Sequence, residues 1–285
     1  LWTDQQGSKL ARIANFISSQ GAVPGIQLGH AGRKASVGRP WEGSSPVPVK
    51  AGGWDTIAPS DLSYSSDWNK PDALDQLGIS QQLSSLAAAV RRARDAGFKA
   101  LELHAAHGYL IHQFLSPLSN VRQDQYGGDF VNRTRFLLES VDAVRSEWPV
   151  ELPLFIRLSV TDWVDGGWTV KDSVALVNIL KARGDVDLID CSSGGNDPRQ
   201  EIPIHPGYQV PFASTIRRDT GLATGAVGLI SAPDHAEAII ANGDADLVIL
   251  GRSLLADPVW PLRAAKHLKT TNVSWPVQYE RSSIY

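Results

Sequence analysis

The sequence has no methionine and only one cysteine, Cys191. A single thiol closes no internal disulfide and holds no iron–sulfur cluster, so a reducing, cytoplasmic compartment is expected. Neither charge is in excess: 27 Lys and Arg stand against 30 Asp and Glu, for a formal net charge of −3. The basic residues form no run that would track a phosphate backbone, which argues against a nucleic-acid partner. No stretch approaches the roughly 18 consecutive apolar residues of a membrane span, and no charged-then-apolar leader opens the chain. Neither a membrane segment nor a signal peptide is expected, so the sequons Asn132-Arg-Thr134 and Asn272-Val-Ser274 carry little meaning. The chain opens on Leu1, and the natural start of translation is expected upstream.

What is present is enough apolar residue, 42% of 285, to bury one large core. No linker and no internal repeat divides it, and residues 1–285 read as a single domain. Short apolar runs alternate with amphipathic helices, the pattern of a parallel sheet joined by helical crossovers. Six strands are expected, at residues 23–28, 100–104, 154–160, 186–190, 223–229 and 246–250. Most are continuously apolar, as strands covered on both faces should be. Thr3 and Gly21 bracket the first helix, and Ser80 and Gly97 the second. Thr169 with Asp172 and Ser231 with Asp234 have capping-box spacing, with Gly243 closing the last of these helices. Residues 31–79 form a loop rich in Gly, Pro, Ser and Trp, far longer than an ordinary connection. The fold class is α/β, a TIM (β/α)8 barrel with six of eight strands visible. The first two βα units are expected to be absent from this chain.

In such a barrel the C-terminal ends of the strands share one rim, where residues distant in sequence converge. Gln27 and His30, then His104 and His107, Arg157, Ser192 and Ser193, Gly228, and Gly251-Arg252 all fall there. Two imidazoles three apart can donate hydrogen bonds to a developing oxyanion while the Tyr109 hydroxyl supplies a proton. Arg157 can face an anionic cofactor, and Gly251-Arg252 offers a close backbone approach with a bidentate grip on phosphate. The set suits a phosphate-bearing redox cofactor. Blander readings stand beside it. The two histidines with His112 have the look of a metal site, but productive ligand sets usually add a carboxylate, and no metal is expected. Arg122, Asp124, Arg133 and Arg135 read as a structural network bracing the loop after Tyr109, and His30 reads equally as a loop hydrogen-bonding group. Cys191 reads as core. Trp41, Trp54 and Trp68 read as packing, or as the wall of a substrate channel.

The ordered motifs Gly25-Ile-Gln27-Leu-Gly-His30-Ala-Gly-Arg33, His104-Ala-Ala-His107-Gly-Tyr109-Leu-Ile-His112-Gln-Phe-Leu-Ser116-Pro, Arg122-Gln-Asp124-Gln-Tyr126-Gly-Gly128 and Asn132-Arg133-Thr-Arg135-Phe136 together resemble the Old Yellow Enzyme family of FMN-dependent ene-reductases. Ser192-Ser-Gly-Gly195, Gly225-Ala-Val-Gly228 and Gly251-Arg252 extend the resemblance. The ending Trp275-Pro-Val-Gln278-Tyr279-Glu280-Arg281 is similar to the thermophilic-type (class III) branch. The resemblance implies FMN with Gln27 and Arg157 at the pyrimidine edge and Gly228, Gly251 and Arg252 at the phosphate. It implies NAD(P)H as reductant and an α,β-unsaturated carbonyl compound as substrate. His104 and His107 would bind the carbonyl oxygen and Tyr109 would protonate the α-carbon. Arg281 would reach the neighbouring subunit's site, making the functional unit a homodimer or dimer-based oligomer. The family's first strand, with its redox-tuning cysteine or threonine, has no counterpart here, and Cys191 is not that residue. Two other readings are set against this one. A dienoyl-CoA-type reductase needs an iron–sulfur cluster that one cysteine excludes. A truncated, non-catalytic barrel remnant would keep the histidines yet be unable to hold FMN.

Overall fold

The computed structural model describes residues 1–270 and 273–282, leaving Asn272 of the second sequon outside. Helix α1 (Asp4–Ser19) leads into β1 (Gly25–Leu28), and a long loop follows, holding two short strands, β2 (Ile57–Ala58) and β3 (Asp72–Ala73). Then come α2 (Gln76–Asp95), β4 (Ala100–Ala105), α3 (Leu110–Leu115), α4 (Phe130–Arg145), β5 (Leu154–Ser159) and α5 (Val170–Arg183). The chain continues through β6 (Leu188–Ser192), α6 (Val210–Thr220), β7 (Ala223–Ala226), α7 (Pro233–Ala241) and β8 (Leu247–Val248), and ends on α8 (Arg252–Ala256) and α9 (Trp260–His267).

The six principal strands pair in parallel in the order β1-β4-β5-β6-β7-β8, a sheet curled into part of a (β/α) barrel. All six expected strands are there, shorter at several ends. The pair β2 and β3 was not expected, because two residues each carry no readable periodicity.

One expectation is corrected. The strands are not apolar on both faces but alternate, as the period of two requires. Leu101, Leu103, Leu154, Ile156, Leu158 and Ile189 are at most 1% exposed and pack beneath the helices. Of the intervening positions, Phe155 and Leu188 are apolar, and those nearer the rim are polar and line the concave face. Gln27 pairs in register with Glu102, His104 with Arg157, Arg157 with Asp190, and Ser159 with Ser192. The apolar half of each strand therefore anchors the polar half.

Two caps also differ from expectation. Helix α2 begins one turn early, with Asp75 accepting from the Gly78 amide at 2.7 Å, so Ser80 lies inside the helix and donates to the Gln76 carbonyl. The long loop accordingly ends at Asp75. Helix α7 opens on Ala232 and Pro233 with no side-chain cap, since Ala232 carries no acceptor, and Asp234 contacts His267 instead. The cap at Thr3 and the capping box of Thr169 with Asp172 are present as expected, and Gln6 completes a capping box with Thr3.

Candidate active site

His104 is the penultimate residue of β4, and the chain then turns through two left-handed residues, His107 (φ 58°) and Gly108 (φ 69°), before α3 opens at Tyr109. A left-handed conformation is uncommon for a non-glycine residue and marks a locally constrained segment. The turn brings three rings together. The His104 ring is edge-on to His107 at 5.1 Å and to Tyr109 at 4.9 Å. His107 Nδ1 is 3.4 Å from His104 Nε2, and its Nε2 is 2.7 Å from Ser192 Oγ.

Ser192 Oγ lies within reach of both His107 Nε2 and Gln209 Oε1, at 2.7 and 3.3 Å, and Gln209 Oε1 also accepts from Ser193 at 2.6 Å. His104 Nε2 and His107 Nδ1 face one another, and the tautomer of each ring decides which of them carries a hydrogen. His104 Nδ1 is buried and has no partner among the described residues. Burial, with the nearby Arg157 charge adding to it, lowers the His104 pKa to about 4 and that of His107 to about 3. Both rings are neutral donors at physiological pH.

The loop is held from behind. The Gly108 amide donates to His112 Nδ1 at 2.9 Å, and His112 Nε2 lies 2.8 Å from Asp162 Oδ1, both side chains fully buried. Asp162 Oδ2 accepts from Ser116 Oγ and from the Trp168 amide. Ser159 Oγ takes the His107 amide at 2.9 Å. Gly195 presses on the same turn: a Cβ added to it would lie 2.6 Å from His107 Cα, and one on Gly108 would lie 2.2 Å from the Gly195 carbonyl oxygen. Both glycines are thus required by contact between the loops after β4 and β6. Lys34 bridges the two, donating to the carbonyls of His107 and Gly195 at 3.1 and 2.8 Å, with its pKa lowered by burial to about 8.

His107, Arg157 and Ser192 open onto a cavity of about 290 Å³ whose far wall is Gly228, Gly251 and Arg252. Gly228 has φ 135°, and Gly251 has open space where a Cβ would stand, so bare backbone faces this end. The predicted residues at His107, Arg157, Gly228, Gly251 and Arg252 therefore converge. Gln27 sits farther along the concave face, donating to Glu102 Oε1 at 2.6 Å. Arg281 does not join them. It is exposed on the terminal 3-10 turn Val277–Ser282 and is not among the residues lining the cavity.

His30 accepts from the Gly32 amide, which is the loop reading. Arg122 pairs with Asp124 and also holds the carbonyls of Pro59 and Leu74, while Arg133 and Arg135 hold those of Leu115 and Gln125. That network braces backbone more than it pairs charges. Trp41 and Trp54 are exposed, whereas Trp68 packs edge-on against Tyr64, itself 4.6 Å from the Lys34 ammonium. Cys191 is fully buried, and among the described residues no group of three or more His, Cys, Asp or Glu could hold a metal ion. No helix among them is long and apolar enough to cross a membrane. Sequence reasoning missed Lys34, Glu102, Asp162 and Asp190. Lys34 adjoins a quoted motif, and Glu102 and Asp190 sit at alternate positions of β4 and β6, which is the signal that could have found them.

Comparison with known proteins gives the family. The profile of the NADH:flavin oxidoreductase / NADH oxidase family matches residues 1–271. The chain is 48% identical over 281 residues to the NADPH dehydrogenase of Geobacillus sp. (strain WCH70), covering 99% of this chain and 77% of that protein. It is 43% identical over 281 residues to the NADPH dehydrogenase of Bacillus subtilis (strain 168), again with 99% and 77% covered. Among solved structures, morphinone reductase superposes with a TM-score of 0.74 at 26% identity, covering 100% of this chain and 74% of that one. A 2-naphthoyl-CoA reductase complex gives a TM-score of 0.79 at 27% identity over 90% of this chain and 40% of that one. The chain belongs to the NADH:flavin oxidoreductase / NADH oxidase family, the Old Yellow Enzyme family, and is an NAD(P)H-dependent flavin oxidoreductase that uses FMN.

Proposed function

We propose that the protein is an ene-reductase, reducing the activated C=C bond of α,β-unsaturated carbonyl compounds with NAD(P)H in a ping-pong cycle. The observation that carries this reading is the ring cluster of His104, His107 and Tyr109, with an unpartnered ring nitrogen, beside a cavity that ends in bare backbone and Arg252. When bound, FMN would supply the redox chemistry, hydride transfer between NAD(P)H and the enone. The residues fit such a guest: Gly228, Gly251 and Arg252 would hold its phosphate, and Gln27 and Arg157 its pyrimidine edge. His104 and His107, both neutral, donate N–H to the enone oxygen and draw charge from the β-carbon. Tyr109 holds a proton on its hydroxyl for the α-carbon.

Residues 1–285 are read as one domain on the strength of a continuous core. The exposed Arg281 belongs, in this reading, to the site of a neighbouring subunit in a homodimer. A cytoplasmic location suits a chain whose one cysteine has no partner.

The experiment is an FMN titration followed by visible absorbance. The purified protein is expected to be yellow, or to become so with a single tight site. Arg252→Ala should weaken FMN roughly tenfold to a hundredfold, the loss of charge-assisted hydrogen bonds worth about 1.5–3 kcal/mol. A protein that stays colourless in excess FMN overturns the reading and leaves the non-catalytic barrel remnant.

A further inference from the structure

The two residues assigned to the flavin edge each rest on a carboxylate. Gln27 Nε2 donates to Glu102 Oε1 at 2.6 Å, and Arg157 Nε lies 3.2 Å from Asp190 Oδ2. Strand register sets both pairs, since Gln27 stands opposite Glu102 and Arg157 opposite Asp190. The carboxylates also meet one another, with Glu102 in hydrogen-bonding reach of Asp190. Asp190 is 1% exposed, and its Oδ1 is buried with no donor among the described residues. Two carboxyl groups this close, one of them fully buried, do not both ionise at low cost, and a shared proton supplies the missing donor.

We propose that Glu102 and Asp190 form a proton-sharing carboxyl pair behind Gln27 and Arg157, which sets the charge presented to the flavin edge and thereby its reduction potential. Both act as positioning residues, since neither is assigned a contact with the flavin. The inference rests on the flavin seat given above.

The neighbouring strands bring few other titratable or charged groups to the pair. From β4 come Glu102 itself and, one step nearer the rim, His104, which is neutral; His107, also neutral, follows on the next loop. From β5 comes Arg157, from β1 the uncharged Gln27, and from β7 only Gly225. On β6 the buried Cys191 thiol is pushed up and stays neutral. Burial drives the Asp190 carboxyl up to about 7, Arg157 pulls against that, and Glu102 raises it further. Below that value the pair carries one negative charge, balanced by Arg157. Above it the pair carries two, and the added charge disfavours electrons on the flavin. The potential is therefore expected to drop more steeply above neutrality than it would with a single fixed carboxylate.

Asp190→Asn and Glu102→Gln each leave a single carboxyl group, so the second negative charge cannot form at high pH. The FMN-loaded protein is poised against a reference dye at about pH 5.5 and about pH 8.5, on either side of the Asp190 value. At the higher pH each variant should show a reduced-to-oxidised flavin ratio about tenfold above wild type at the same applied potential, equivalent to about 30 mV. At the lower pH variants and wild type should coincide. A role confined to packing would move stability and leave the two curves parallel. The infrared carbonyl stretch of a protonated carboxylic acid gives a second readout, made on the wild type with or without FMN. It should be present at the lower pH, fade by the higher, and be missing from Asp190→Asn. Failure of the wild type to bind FMN strikes the flavin seat alone. A wild type with no titrating carboxylic band, or variants whose potentials follow wild type at both pH values, overturns the carboxyl pair.

Discussion

His104→Ala is expected to slow flavin reoxidation by an enone roughly a hundredfold, about 3 kcal/mol of barrier, the usual cost of deleting one oxyanion donor. The size follows from where the ring sits. His104 is 7% exposed, its Nδ1 has no partner, and His107 and Tyr109 fix its plane from two sides. Water cannot easily take its place, so the donor is lost outright. Because burial, assisted by Arg157, lowers both histidines to about 4 and about 3, neither should titrate between about pH 5 and 8. The wild-type rate should show no ionisation near the ordinary histidine value of about 6.5. Rapid mixing of the reduced, FMN-loaded variant with a cyclic enone measures the effect. A rate equal to wild type at equal flavin content removes His104 from the site.

Asp162→Ala is expected to be the most destabilising single change, by about 3–5 kcal/mol, because it strands buried partners of a removed charge. Three donors converge on this carboxylate: His112 Nε2, Ser116 Oγ and the Trp168 amide. His112 Nδ1 accepts from Gly108, so its hydrogen must lie on Nε2, toward Asp162. The substitution therefore unties the left-handed turn at His107 as well as the loop after β5. Burial alone would raise the Asp162 pKa, but the interaction with His112 and the bonds from Ser116 and Trp168 outweigh it and leave the carboxyl below its ordinary value. A depressed carboxyl contributes stability that is present above the unfolded value of about 4 and is lost as pH falls through the folded value. Urea unfolding of wild type and variant near neutral pH should show the full difference with an unchanged slope. The gap should narrow as the medium is acidified below about pH 4. A variant as stable as wild type contradicts the role given to Asp162.

The rim was legible because its residues sit where strand ends must converge, and the spacing of His104, His107 and Tyr109 in one short segment needs only local geometry to bring the rings together. The meeting of Gly228 with Gly251-Arg252 in one cavity wall was legible for a similar reason, since each follows its own strand. The concave face was not. Reading β4, β5 and β6 as apolar throughout hid the alternation that turns Glu102, Arg157 and Asp190 to one face, and the meeting of the two carboxylates is a contact between side chains from different rows of the sheet. Asp162 was hidden differently. It lies in a loop after β5, and nothing near it in sequence points to His112, fifty residues earlier. The start of α2 was misplaced by a turn because Ser80 and Asp75 both have capping chemistry, and local preference does not choose between them.

The most direct test is an anaerobic two-step titration of the FMN-loaded protein. NAD(P)H is added until the flavin band bleaches, the nicotinamide is removed, and an α,β-unsaturated ketone is then introduced. The band should return in full, with one saturated ketone formed per flavin and the alkene consumed in equal amount. A flavin that bleaches with NAD(P)H, ignores the enone and recovers only when oxygen is admitted would contradict the ene-reductase assignment.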